Sequence, residues 1–367
     1  MLHCLMNLPR HSFIAVLLAL VLLKTGIAEY TLFKQWALIA QNPFENPFWE
    51  NTPINPEDAL AFHFLMWSHL LPFLCWCVGM VSASNVFWVS LFFAFAFFWG
   101  LMRCTFCFLP EQSGRIACLL FAIFPVSGIG FFMVGMDSFT LFLMGLTFIV
   151  GLKINHLTLN RGGGGIIAFL LGILLGMQHF EQGFLGVVAL LFAICFSKQQ
   201  SSGLSFSFCL SWVLGIVLGK LLLVLLFLYW QQNVPTRSEH FFRNAASLWS
   251  AFSLNFQWAW FAGLGLGWVA VAHYVRQKRD VLPFLLPLLA LCLLPIIAYD
   301  YTRVVAVATF PLLLQFVFLN ADFLKNFPKA TLNTLFVAWL FLPFIYFFGR
   351  MQSAQGFYTL LVHLFNL

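Results

Sequence analysis

Few side chains in this sequence are suited to chemistry, and most of them sit where apolar runs begin or end. Asp300-Tyr-Thr-Arg303 sets an acid and a guanidinium three residues apart at the start of such a run. The two can pair, or they can share an anion, since an arginine fork beside a helix start is a good phosphate seat. The plainer reading is an ion pair that pins an interface. Asp137, in Gly-Met-Asp-Ser, opens another run. It suits a helix cap, a functional acid, or both. His179 and Glu181 lie in Gln-His-Phe-Glu-Gln between two short apolar stretches. There they are costly unless they face a polar cavity, or unless the break is a wetted hinge. Lys220, inside Leu-Gly-Lys-Leu, is a mid-depth cation that is either functional or snorkelling. Arg237, Glu239, His240 and Arg243 follow a long apolar run and suit a lipid phosphate or a solvated face. Glu29, Glu45, Glu50, Glu57 and Asp58 crowd one Pro- and Asn-rich stretch.

The elements that position these groups follow from composition. Of 367 residues, 62% are hydrophobic and 8% are charged, against about 25% charged in a soluble domain. The mean hydropathy is +0.93. A water-soluble enzyme, a disordered chain and a nucleic-acid binder are excluded; the solvent is a bilayer. The net charge of +6 is therefore no nucleic-acid footprint. The nine cysteines lie in or beside apolar runs and read as packing residues, Cys104-x-x-Cys107 included. Arg161-Gly-Gly-Gly-Gly165 follows no strand and lacks the phosphate-loop lysine, so it is a connector.

Charges bound apolar stretches at 12–28, 59–82, 86–102, 116–136, 138–152, 166–178, 182–197, 209–230, 258–275, 281–299, 304–320 and 334–349. Stretch 12–28 reads as a retained first membrane helix. Stretch 59–82 is expected to be interfacial or re-entrant, because that choice gives the better charge partition. One side then holds Arg10, Arg103, Arg115, Lys153, Arg161, Lys198, Arg276, Lys278, Arg279, Lys325 and Lys329, and the other holds Lys34, Arg237, Arg243, Arg303 and Arg350. The side with more basic residues is the inside. The expectation is an all-α, polytopic transmembrane chain of about eleven spans, forming a single integral-membrane domain over 1–367. It has a first outer loop at 29–85 and a second at 231–257.

The order of motifs resembles the GT-C superfamily of integral-membrane glycosyltransferases, which use lipid-linked sugar donors. Helix one is followed by the acid-plus-aromatic run Ala28-Glu-Tyr-Thr-Leu-Phe-Lys-Gln-Trp. Next come Gly114–Pro125, with its terminal proline, and Gly135-Met-Asp137-Ser. Leu170–Glu181 is a glycine-rich short helix ending in a polar turn, and Asp300-Tyr-Thr-Arg303 is a late acid-to-arginine motif. The likeness covers roughly 12–200 and 300–315. It departs from the family at its first acid, a lone Glu29 in place of an Asp or an acidic doublet, with Glu57-Asp58 following later.

The resemblance implies transfer of a sugar from a polyprenyl-phosphate donor to a glycan, lipid or protein acceptor at the outer face. The catalytic base is expected among Glu29, Asp58 and Glu57, in that order. Substrate binding is expected at Asp137, His179, Glu181, Arg237, Arg243, Asp300 and Arg303, with cationic groups stabilising the leaving phosphate. No residues have metal-ligand spacing, and the part of a divalent metal is left open. Two rivals remain at this stage: a polymerase or ligase of lipid-linked oligosaccharides, and a transporter. The absence of a usable Asn-x-Ser/Thr sequon leans towards a bacterial inner membrane.

Overall fold

The computed structural model describes residues 2–26, 33–48, 64–132, 136–156, 161–197, 203–232, 234, 237–277, 281–298, 300–348 and 350–353. They form helices joined by short turns. The first are α1 (Leu2–Met6), α2 (Arg10–Thr25), α3 (Phe33–Gln41), α4 (Leu70–Cys77), α5 (Ala83–Phe108), α6 (Glu111–Ile123), α7 (Pro125–Phe132) and α8 (Met136–His156). Then come α9 (Arg161–Phe196), α10 (Phe206–Tyr229), α11 (Arg237–Leu264), α12 (Gly267–Gln277), α13 (Leu282–Leu291), α14 (Tyr301–Phe318), α15 (Ala321–Lys325) and α16 (Lys329–Phe341). A short hairpin, β1 (Ile345–Phe348) and β2 (Arg350–Ser353), pairs Tyr346 with Gln352 and Phe347 with Met351.

Among the described residues, five helices are long and apolar enough to cross a membrane: α5, α8, α9, α10 and α14. A sixth span arises if α6 and α7, bent by 64° at their junction, count as one. Pro125 accounts for that bend, because it has no N–H for the ladder. The chain is thus a multi-pass membrane protein in architecture. Leu214, Leu221, Leu225 and Leu228 leave more than half of their surface exposed on α10. A helix that is apolar on its uncovered face has hydrocarbon for solvent.

Several apolar stretches differ from their sequence-based expectation, each for a local reason. Stretch 258–275 divides at Gly265, whose φ of 55° ends α11. Stretch 281–299 divides into α13 and a 3-10 turn at Leu294–Ile297 around Pro295. Stretch 334–349 stops as a helix at Phe341, ahead of Pro343, and continues as β1. In stretch 59–82 the described part is a 3-10 turn (Phe64–Trp67) and the eight-residue α4, about 12 Å long and too short to span. Stretches 166–178 and 182–197 run on as α9, kinked at His179 (φ −158°, ψ 84°). The stretch 231–257, expected to be a loop, is mostly helical: α11 fills it from Arg237.

Glycines set the closest packing. Gly172 and Gly176 of α9 lie against Trp212, Gly215, Ile216 and Gly219 of α10, so near that a Cβ on Gly176 would fall 2.1 Å from the Ile216 carbonyl oxygen. The first arm of α9 and α10 therefore run side by side in the same direction. The second arm packs Gly186 on Ala308 and Pro311 of α14, and further on Gly203 meets Leu319 just beyond that helix. Gly145 of α8 faces Phe310 across a gap that a Cβ would fill at ordinary contact distance, and Phe148 meets Phe318. So α8, the second arm of α9 and α14 are mutually parallel, and their starts gather at one end of the molecule.

The other end is basic. Glu111, opening α6, receives Arg10 Nε at 2.6 Å and Arg115 Nε at 2.9 Å. Arg103 meets His11 at 3.2 Å. Ser113 donates to the Ala321 carbonyl, which fixes this as the end where α14 finishes. The packing thus separates Arg10, Arg103 and Arg115 from Asp137, Glu181 and Asp300.

Candidate functional site

The gathered helix starts carry two clusters of polar side chains. In the first, Asp300 caps α14: its Oδ1 accepts the Arg303 backbone N–H at 3.3 Å, and its Oδ2 lies 2.8 Å from Arg303 Nε. A side-chain oxygen satisfying an early N–H is why Asp ends the turn and begins the helix here. The same Nε is 3.5 Å from Asp137 Oδ2, in the first turn of α8. Asp137 is 2% exposed and Asp300 is 5% exposed.

The hairpin closes this cluster. Tyr346 of β1 is buried beside the charges of Asp300 and Arg303. The Phe347 N–H donates to Thr302 Oγ1 at 2.9 Å, and the Phe347 ring stacks on Tyr301 at 4.7 Å. Burial lifts the Asp300 carboxyl above the ordinary carboxylate range, against the opposing pull of Arg303. Burial also lifts the Tyr346 phenol, and the neighbouring Asp300 charge adds to that.

The second cluster sits at the α9 kink. Glu181 lies between His179 Nδ1, at 3.9 Å, and Lys220 Nζ, at 3.8 Å. The Lys220 ammonium stands 3.5 Å from the centre of the Trp67 ring, a cation–π contact. The Leu71 N–H donates to Gln178 Oε1 at 3.0 Å, which seats α4 on α9. Lys220, a mid-depth cation by sequence, thus reaches up to an acid and an aromatic face.

The structure joins Asp137, Asp300 and Arg303 directly and places His179 and Glu181 at the same end on the neighbouring helix. Arg237 and Arg243 have their backbone in α11, while their side chains lie outside the described residues. Glu29, Glu57 and Asp58 also lie outside the described residues. Among the described residues no group of three or more His, Cys, Asp or Glu is placed to hold a metal ion. Sequence reading missed Tyr346, Trp67 and Gln178. Only Gln178 carried a signal, as a polar residue next to the His179 break.

Comparison with known proteins gives no matching family model, no matching curated protein and no matching solved structure.

Proposed function

We propose that this chain is a membrane glycosyltransferase that moves a sugar from a polyprenyl-phosphate donor to an acceptor. In this reading it has about eleven passes, resides in a bacterial inner membrane and works at the outer face. One observation carries the proposal. Two buried carboxylates, from the starts of two parallel helices, converge on one arginine. Charges inside a membrane protein are expensive and mark sites by default. The arginine has five N–H donors, of which Nε faces the carboxylates. The reading gives the remaining donors to the donor phosphate. It gives the proton of the acceptor hydroxyl to a carboxylate of the first outer loop, with Glu29 leading. Glu181, His179 and Lys220 flank the same end and would orient the acceptor.

The test is a lipid-linked glycan profile, by mass spectrometry, of cells with and without the protein. Expected on deletion is accumulation of a lipid-linked monosaccharide, with one sugar missing from the acceptor glycan. Accumulation of whole repeat units would favour a polymerase or ligase. An unchanged profile would remove the enzyme reading. The α9 kink at His179 favours one rival, since broken helices also build transporter sites. Uptake or efflux without any bond transfer would decide for that rival.

A further inference from the structure

A second feature lies at the same end, separated from Arg303 by one strand. A cavity of about 200 Å³ is walled by α2, the α6–α7 bend, the α11–α12 turn and the end of α16. It exceeds the engineered hollow of about 150 Å³ that stays dry and takes up benzene in another protein. The wall is apolar, and its hydroxyls are turned inward to backbone. Ser127 Oγ donates to the Ala122 and Phe124 carbonyls at 2.9 and 2.8 Å, and Thr25 Oγ1 donates to the Val21 carbonyl at 2.9 Å.

Lys24 is the exception. Its ammonium lines the cavity and hydrogen-bonds the Trp339 and Leu342 carbonyls, the last turn of α16. A lysine at a helix C-terminus is a normal cap. The two carbonyls, however, occupy two of three donors and cancel no full charge. Among the described residues Lys24 forms no ion pair. A positive charge therefore borders an apolar cavity with no counter-charge among the described residues. β1 alternates its faces: Ile345 lines the cavity, and Tyr346 turns to Asp300. The cavity and the Arg303 cluster are back to back, not one site.

We infer that this cavity binds an anionic single-chain amphiphile, its alkyl chain among Val21, Ile123, Phe261 and Phe344 and its phosphate head on the Lys24 ammonium. Charge complementarity selects an anion, and the apolar wall selects a chain. The inference does not rest on the transferase reading.

Dodecyl phosphate with a brominated chain is the probe, added to the full-length protein in neutral detergent. Bromine quenches indole fluorescence at short range, and Trp258 and Trp339 line the cavity. Expected is saturable quenching that plain dodecyl phosphate competes away and dodecyltrimethylammonium does not. Lys24→Met should weaken it by about tenfold or more, and Lys24→Arg should retain it. Val21→Phe, which fills the cavity and keeps the charge, should abolish it. Competition by both headgroups alike would overturn the inference, as would unchanged quenching in Lys24→Met. If Lys24→Met fails to fold, Val21→Phe decides: retained saturable quenching there refutes the cavity as the site.

Discussion

The Nε of Arg303 lies 3.5 Å from Oδ2 of Asp137, although the two residues belong to helices with α9–α13 between them in sequence. With Asp300 at 2.8 Å, the guanidinium holds two buried carboxylates together. Removing the cation leaves two like charges without water. Arg303→Ala is expected to lower stability by about 3–5 kcal/mol, read as a fall in the thermal unfolding midpoint in detergent. Adding Asp137→Asn should return part of that loss. Arg303→Lys should fold and still be impaired in transfer, because an ammonium lacks the bidentate fork. An Arg303→Ala variant with wild-type activity and protein level would make the arginine dispensable.

The proposed base among Glu29, Asp58 and Glu57 is tested by isosteric replacement. Glu29→Gln, Asp58→Asn and Glu57→Gln are to be assayed separately for sugar transfer. Loss of the base should cost on the order of 10²–10⁴ in rate, with donor binding nearly intact. Three variants of wild-type rate would move the role to Asp137 or Glu181.

His69 gives a pH signature. It is 1% exposed and packs against Phe73, Phe227 and Trp230. Burial lowers its pKa to about 4. The unfolded chain, with an ordinary imidazole, binds the proton first as pH falls. The stability His69 contributes is thus present above the unfolded value near 6.5 and is lost as pH falls towards 4. Acidification from pH 7 to pH 5 should cost on the order of 2 kcal/mol through this residue. His69→Phe should flatten that part of the melting-temperature profile; an unchanged slope would show that the imidazole is not excluded from water.

Gly176→Ala should break one of the closest helix contacts among the described residues. The added methyl would fall 2.1 Å from the Ile216 carbonyl oxygen, where backbone must move. Overpacking of this kind costs about 1–3 kcal/mol. Gly163→Ala, on the same helix with open space around it, is the control and should melt like the wild type.

What sequence could reveal here depended on contrast. In so apolar a chain each charge stands out, and Asp137, His179, Glu181, Asp300 and Arg303 were visible for that reason. Their meeting was not visible, because Gly186 helps to set it by letting α9 approach the backbone of α14, and a glycine's tolerance of close approach leaves no mark in hydropathy. Ile345-Tyr-Phe-Phe reads as the end of an apolar helix, since a short apolar run fits strand and helix alike. Tyr346, the residue that closes the Asp300 pair, was hidden with it. In the stretch 231–257, Arg237 to Arg243 suit a lipid phosphate or a solvated face alike, with no apolar run to announce that α11 begins at Arg237.

Because α8 and α14 point the same way, their peptide dipoles add at this cluster instead of cancelling. Each start contributes about half a positive charge, and the two starts carry Asp137 and Asp300. The backbone itself thus offsets the one negative charge left when Arg303 is set against two aspartates. An anion approaching this end meets a field that the side chains alone would have made repulsive.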